Sequence, residues 1–190
     1  SRKIEGAALA VTISRHNVDW LQRNVSPMSQ RKLAVIHCGV DLEHIAWHMD
    51  GRSENLIVAV GRLDPIKGFD TLIEALSLIH RKGISFHFWL IGEGPLRASL
   101  QALVQARGLQ DHVEFGGALP QDAVRAALHD ATIFALPCQV TADGNRDGIP
   151  VALMEAMAAG CAVVSTTVSG IPELINDGQQ GLLVSARDPA

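Results

Sequence analysis

A chain of 190 residues, 47% of them hydrophobic, is long enough to bury a sizeable core and short enough for one or two domains. Its net charge of -4 removes any general pull toward nucleic acid or an anionic membrane surface. Cys38, Cys138 and Cys161 are odd in number, widely spaced and set in apolar contexts. They read as reduced thiols of a cytosolic protein rather than as a disulfide framework or a zinc site.

In chain order, Ala7–Ile13 follows Arg2 and Lys3 and faintly mimics a signal peptide. It is short, preceded by Glu5 and without a cleavage-like end, so Leu9–Ile13 reads as a strand. Arg15–Arg23 reads as a helix, and Leu33–His37 as a strand running into C-G-V-D. Leu42–Arg52 carries little pattern and reads as a linker. Beyond it strand and helix alternate. Leu56–Val60 is a short apolar run, as expected of a strand buried on both faces. Phe69, Leu72, Ile73, Leu76 and Ile79 follow helical spacing, with Gly83 as the stop. Phe86–Ile91 predicts a strand, the face Leu96, Leu100, Leu103 and Val104 a helix closed by Gly108, and Val113–Phe115 another strand. Gln121–His129 predicts a helix and Thr132–Leu136 a strand. A buried helix after Pro150, strand Ala162–Ser165, a helical turn near Pro172–Ile175 and strand Gly181–Val184 complete the series. Strands separated by helices of this length imply right-handed crossovers and a parallel sheet covered on both faces. No apolar run is long enough to span a bilayer, because Pro150, Glu155 and Gly160 interrupt the best one. The chain lacks an initiator Met and stops at Asp188-Pro189-Ala190, a helix start, which reads as a piece of something longer.

Three loops stand at the carboxyl ends of predicted strands, where open α/β sheets bind ligands. In Gly61-Arg62-Leu63-Asp64-Pro65-Ile66-Lys67-Gly68, Arg62 offers a planar fork to phosphate oxygens and Lys67 a mobile point charge. The pair could neutralise a diphosphate without a metal ion, and equally fits two solvated charges on a loop. A G-x-G-x-x-G turn is missing here, which argues against a nicotinamide-binding unit. In Gly92-Glu93-Gly94-Pro95 the glycines would let a ligand approach the backbone, with Glu93 reaching a hydroxyl; a tight turn with an exposed Glu fits as well. Gly117, Ala118 and Leu119 could form a shelf for a flat base, or a plain loop.

The most informative stretch runs from Asp147 to Val164. Between Gly148 and Val164, Glu155 is the only ionisable carboxyl or amine among apolar and small residues. Burying an unpaired carboxylate costs several kcal/mol or more, so it needs a partner or a shifted pKa. Pro150 suits the start of the helix and Gly160 the position past its end. Asp147 then approaches the helix N-terminus, a ready anion site, and two carboxylates flank that site. Asp147 also fits a residue that merely complements the helix dipole. Ser169-Gly170-Ile171-Pro172-Glu173 reads as another small-residue loop or turn. Cys161 reads as packing, and the three Trp are too scattered for a stacking platform.

Taken together and in order, V-G-R-L-D-P-I-K-G, L-I-G-E-G-P-L, V-E-F-G-G-A-L-P, D-G-I-P-V-A-L-M-E-A-M-A-A-G-C-A-V-V, G-I-P-E-L-I and G-L-L-V resemble one family. They are similar to the donor-binding domain of retaining GT-B glycosyltransferases, the glycogen-synthase-like group with two glutamates separated by seven residues. The resemblance covers about residues 55–188. Ala7–Asp41, with T-I-S-R-H-N and V-I-H-C-G-V-D, resembles the end of that family's acceptor domain. T-A-D-G-N-R-D-G-I-P further resembles enzymes of bacterial exopolysaccharide and lipopolysaccharide assembly.

The resemblance implies a doubly wound, mainly parallel, Rossmann-like α/β sheet forming the C-terminal half of a GT-B fold. Residues 1–50 would be the tail of the acceptor domain and linker. Residues 51–190 would be the nucleotide-sugar donor domain, truncated at its C-terminus. Arg62 and Lys67 would hold the donor diphosphate and stabilise it as leaving group. Glu155 would accept from the ribose hydroxyls, and Asp147 would face the sugar. Gly61, Glu93, Gly94, Gly117, Ala118 and Leu119 would line the nucleotide, and the amides of Gly148, Ile149, Pro150 and Val151 the region where sugar meets phosphate. Pro150, having no N–H, would contribute only backbone shape there. Asp147 departs from the family's usual Glu by one methylene, which shifts its reach. The implied partners are a nucleoside-diphosphate sugar and a glycan or lipid-linked acceptor held by the missing N-terminal domain, with no nucleic acid, no cofactor and no metal. The implied place is the cytoplasm or, through peripheral association of the full-length protein, the cytoplasmic face of the membrane. A sugar-nucleotide epimerase or hydrolase of the same architecture, and a non-catalytic nucleotide-binding module, are the alternatives.

Overall fold

The structure, a computed structural model, describes residues 2–45 and 51–190. The middle of the low-pattern stretch Leu42–Arg52, with the domain boundary expected near residue 50, lies outside the described residues. The N-terminal segment holds α1 (Arg2–Gly6), β1 (Ala10–Thr12), α2 (Arg15–Gln22), α3 (Pro27–Gln30) and β2 (Leu33–Val35). β1 and β2 pair in parallel as a two-stranded sheet.

The rest is built around β3 (Ser53–Val60), α4 (Phe69–Arg81), β4 (His87–Ile91), α5 (Arg97–Ala106), β5 (Val113–Gly117), α6 (Gln121–Asp130), β6 (Ala131–Leu136), α7 (Val151–Ala158), β7 (Ala162–Thr166), α8 (Ile171–Leu174) and β8 (Leu182–Val184). The six strands are parallel in the order β5-β4-β3-β6-β7-β8. The order reverses between β3 and β6, so the sheet is doubly wound, as the alternating pattern implied.

Burial explains why these residues form these elements. Ile57, Val58 and Ala59 are consecutive and all buried, so β3 is covered on both faces, as its unbroken apolar run requires. Phe69, Leu72, Ile73 and Leu76 put the apolar stripe of α4 into the core. Phe88 and Phe134, on neighbours of β3, are fully buried with Leu63 and Leu153. At about 1.5–3 kcal/mol per buried large apolar side chain, this layer carries most of the favourable energy of the fold. Arg107, just past α5, forks both oxygens of Glu74 on α4 at 2.7 and 2.6 Å. Among the described residues no helix is long and apolar enough to cross a membrane.

Candidate functional site

At the switch point between β3 and β6 two strand-end loops meet. The β3 loop, with a 3-10 turn over Pro65–Lys67, packs against the loop that leaves β6. The amide of Gln139 donates to Ile66 O at 2.9 Å, and its side-chain amide donates to Pro65 O at 2.6 Å. Gly68 has φ 68, and a Cβ there would collide with the carbonyl of Pro137. No side chain fits at that approach.

Across this junction Lys67 Nζ meets Asp147 Oδ2 at 2.8 Å, with only 14% and 20% of the two side chains exposed. The buried thiol of Cys138 donates to the same carboxylate oxygen at 3.4 Å. Burial and then the charge of Asp147 push that thiol far up, so it stays a protonated donor. Arg62 stands on the same loop with 72% of its side chain exposed, its Nε 3.6 Å from Asp64. The cationic pair expected for a diphosphate is therefore divided: one member is largely exposed beside Asp64, the other is neutralised by the second candidate carboxylate.

Gly148, Ile149 and Pro150 lead into α7 at Val151, and its N-cap Pro150 makes no side-chain capping bond. Gly160 has φ 85 just past the helix, as its placement predicted. Glu155 has the partner that its apolar setting demanded: Gln121 Nε2 donates to Glu155 Oε1 at 2.7 Å. The expectation of a wholly buried helix is corrected here. Leu153 and Ala156 are buried, but Val151 is 47% exposed and Glu155 half-buried, so this helix turns a polar edge outward. Gln121 opens α6 directly after the Gly117–Leu119 loop, which brings that shelf and Glu155 together.

At the ends of β4 and β5, Glu93 pairs with Arg97, whose guanidinium lies 5.8 Å from the centroid of Phe115. Glu93 Oε1 also hangs over Gly117. The glycines of G-E-G also have a packing reason. A Cβ on Gly92, at φ 142, would strike the carbonyl of Gly61, and one on Gly94 would lie 2.5 Å from Leu63 O. They permit two loops to pack on each other, with Leu63 N donating to Glu93 O at 2.9 Å. Every candidate residue thus lies along the carboxyl edge of the sheet, from Gly117–Leu119 through Glu93 and Arg62 to Asp147 and Glu155. A cavity of about 680 Å³ beside Asp64, Gln139, Asp143 and Arg187 is not lined by any of them.

Sequence reading missed how the N-terminal segment joins this edge. Glu173, placed in a turn, reaches back 158 positions to accept the amide N–H of Arg15 at 2.8 Å and that of His16 at 2.8 Å. His37 Nε2 lies 3.2 Å from the same carboxylate. Ser14 Oγ takes the amide of Asn17 at 3.1 Å, so Ser14 and Glu173 together satisfy the first turn of α2. Burial pushes the Glu173 carboxyl up, but the His16 and Arg15 amides and His37 outweigh it and hold it below the ordinary value. Contact is tight beside it: a Cβ on Gly148 would lie 2.7 Å from Ile13 Cδ1, and one on Gly170 2.9 Å from Ser14 Cβ. The segment therefore walls the crevice next to Asp147. A carboxylate in a turn far along the chain from a helix start was the available signal, and it is not specific.

The profile of the group 1 glycosyl transferases matches residues 54–190. The chain belongs to that family. It is 40% identical over 160 residues to a putative colanic acid biosynthesis glycosyltransferase of Salmonella typhimurium, covering 83% of this chain and 39% of the relative. It is 43% identical over 132 residues to the amylovoran biosynthesis glycosyltransferase of Erwinia amylovora, covering 70% and 32%. The chain thus spans well under half of these relatives. In fold it is similar to Anabaena HepE solved with UDP and glucose, with a TM-score of 0.80 at 20% identity, covering 96% of this chain and 51% of that one. The doubly wound, Rossmann-like architecture of the GT-B glycosyltransferases, expected from the motif series, is the architecture found.

Proposed function

We propose that residues 51–190 are the donor-binding domain of a retaining glycosyltransferase, and that residues 1–50 are the end of its acceptor domain and the linker. The whole protein would transfer a sugar from a nucleoside-diphosphate sugar to a glycan or lipid-linked acceptor, in the cytoplasm or at the cytoplasmic face of the membrane. The observation that carries this reading is the Lys67–Asp147 pair, 2.8 Å across the switch point where the sheet order reverses.

An ion pair of that kind gives a simple exchange. Donor phosphate oxygens take Lys67 from Asp147, and the freed carboxylate turns to the sugar hydroxyls. Arg62, already exposed, closes on the other phosphate. As the bond from the anomeric carbon to the diphosphate breaks, the negative charge that develops falls on oxygens held by these two cations. Glu155, oriented by Gln121 beside the Gly117–Leu119 shelf, accepts from the ribose hydroxyls while the base lies on the shelf. Gly61, Glu93, Gly94 and the backbone from Gly148 to Val151 complete the lining. The relatives' names, which place them in polysaccharide biosynthesis, and a fold neighbour solved with UDP support this assignment.

Titrating UDP, GDP and ADP into the protein by calorimetry, in the presence of a metal chelator, tests the reading. One of the three diphosphates is expected to bind in the chelator. Binding that requires a divalent ion would overturn the metal-free diphosphate site, and binding of none would overturn the donor domain.

A further inference from the structure

Beside the proposed donor site lies a second cavity of about 310 Å³, lined by Thr12, Asn17, Trp20, Leu21 and Arg146. It joins the two parts of the molecule, because four of these residues come from β1 and α2 and the fifth precedes Asp147. Its walls are chemically distinct. Trp20, half exposed, and Leu21 give an apolar face; Asn17 and Thr12 supply an amide and a hydroxyl. Arg146 supplies a cation.

That cation is free among the described residues, and the neighbouring carboxylates explain why. Asp143 is turned toward Thr141 and accepts the amide of Asn145 at 3.2 Å. Asp147 is taken by Lys67 at 2.8 Å. The Arg146 guanidinium has no ion pair or side-chain hydrogen bond of its own, yet it is half-buried at the cavity wall. A guanidinium beside an exposed indole, with an amide and a hydroxyl nearby, matches a pyranose ring that carries an anionic group. The ring's apolar face meets the indole, its hydroxyls the amide and hydroxyl, and its anion the planar fork.

We infer that this cavity is a subsite for an anionic sugar of the acceptor, with Arg146 selecting the charge and Trp20 seating the ring. The inference rests on the transferase reading for its role in the reaction, since the cavity adjoins Asp147, where the transferred sugar would lie. Its binding chemistry stands without that reading. Arg146 is here a specificity-determining residue, distinct from the cations that hold the diphosphate.

The test follows the Trp20 indole N–H signal by NMR, assigned with Trp20→Phe, while glucuronate, glucose 6-phosphate and glucose are added separately. Either anionic sugar is expected to shift it at about ten-fold lower concentration than glucose, as a charge-assisted contact requires. Whichever of the two acts names the anion as carboxylate or phosphate. Arg146→Gln should abolish the preference for charge without changing the backbone spectrum elsewhere, and Arg146→Lys should keep part of it. The preference should persist when the best nucleoside diphosphate is present. Equal response to glucose and to both anionic sugars, an unaltered preference in Arg146→Gln, or displacement by the diphosphate would each overturn the subsite. Failure of every diphosphate to bind while the anionic sugar still shifts Trp20 would sink the donor assignment and leave the subsite standing.

Discussion

The two regions of this chain are held together by different physics. In the six-stranded region the strands and helices converge on a single apolar core from Ile57 to Ile175. In the N-terminal segment no described hydrophobic residue is fully buried; its buried side chains are Ser14 and Ser29. Leu9, Val11, Trp20 and Ile36 are each half exposed or more. What seats that segment on the sheet is a set of directional contacts, chiefly Glu173 on the amides of Arg15 and His16. The six-stranded region can thus be stable by itself, while the position of the segment depends on a few polar atoms. A crevice with one rigid wall and one wall held by hydrogen bonds suits a site that must admit and release substrates.

The comparison can be broken from either side. Phe134→Ala, in the centre of β6, removes a fully buried ring and should destabilise the sheet region by about 3–5 kcal/mol. Denaturant unfolding followed by circular dichroism reads this directly, and a loss near zero would mean that the core is not where the contacts place it. Glu173→Ala should cost about 1–2 kcal/mol, the scale of a lost helix cap with two amide bonds. Hydrogen exchange should then quicken at Arg15 and His16 while β3 stays protected. Uniform quickening of both regions would show that the segment and the sheet are one cooperative unit.

The same contact has a pH signature. Because the folded carboxyl of Glu173 lies below its ordinary value of about 4.3, its contribution is complete above that value. It is lost as the pH falls through the lower, folded value. Exchange at Arg15 and His16, corrected for its intrinsic pH dependence, should therefore rise in that acidic window in the wild type and not in Glu173→Ala. Equal pH profiles for the two proteins would remove Glu173 from this role.

How much of this was legible beforehand depends on whether the signal was local. The strands from Leu56 to Val184 and the helices between them were readable because burial on both faces leaves short unbroken apolar runs in the strands, and burial of one face imposes a period of 3.6 on the helices. The short α1 and α3 were not, since helices of five and four residues have too few positions to display a period, and the equally short α8 was read only as a helical turn near Pro172–Ile175. Lys67, Asp147, Arg62 and Glu155 were marked as candidates by residue type and place. Their partners were not: that Lys67 faces Asp147, that Gln121 orients Glu155 and that Glu173 caps α2 are consequences of strand order. A single sequence read along its length does not contain that order. The glycines of the G-E-G turn were noticed by type, but their packing on Gly61 and Leu63 was not legible, because the backbone they accommodate belongs to another loop.

The central claim is that Lys67, paired with Asp147 in the free protein, takes the donor diphosphate. The most direct measurement compares the affinities of the preferred nucleoside diphosphate and its parent nucleoside for wild type and Lys67→Ala by calorimetry, with hydrogen exchange confirming that the sheet of the variant is intact. A charge-assisted contact of roughly 1.5–3 kcal/mol predicts a loss of about ten-fold or more for the diphosphate and almost none for the nucleoside. Equal losses for the two ligands, or an unchanged diphosphate affinity, would contradict the account.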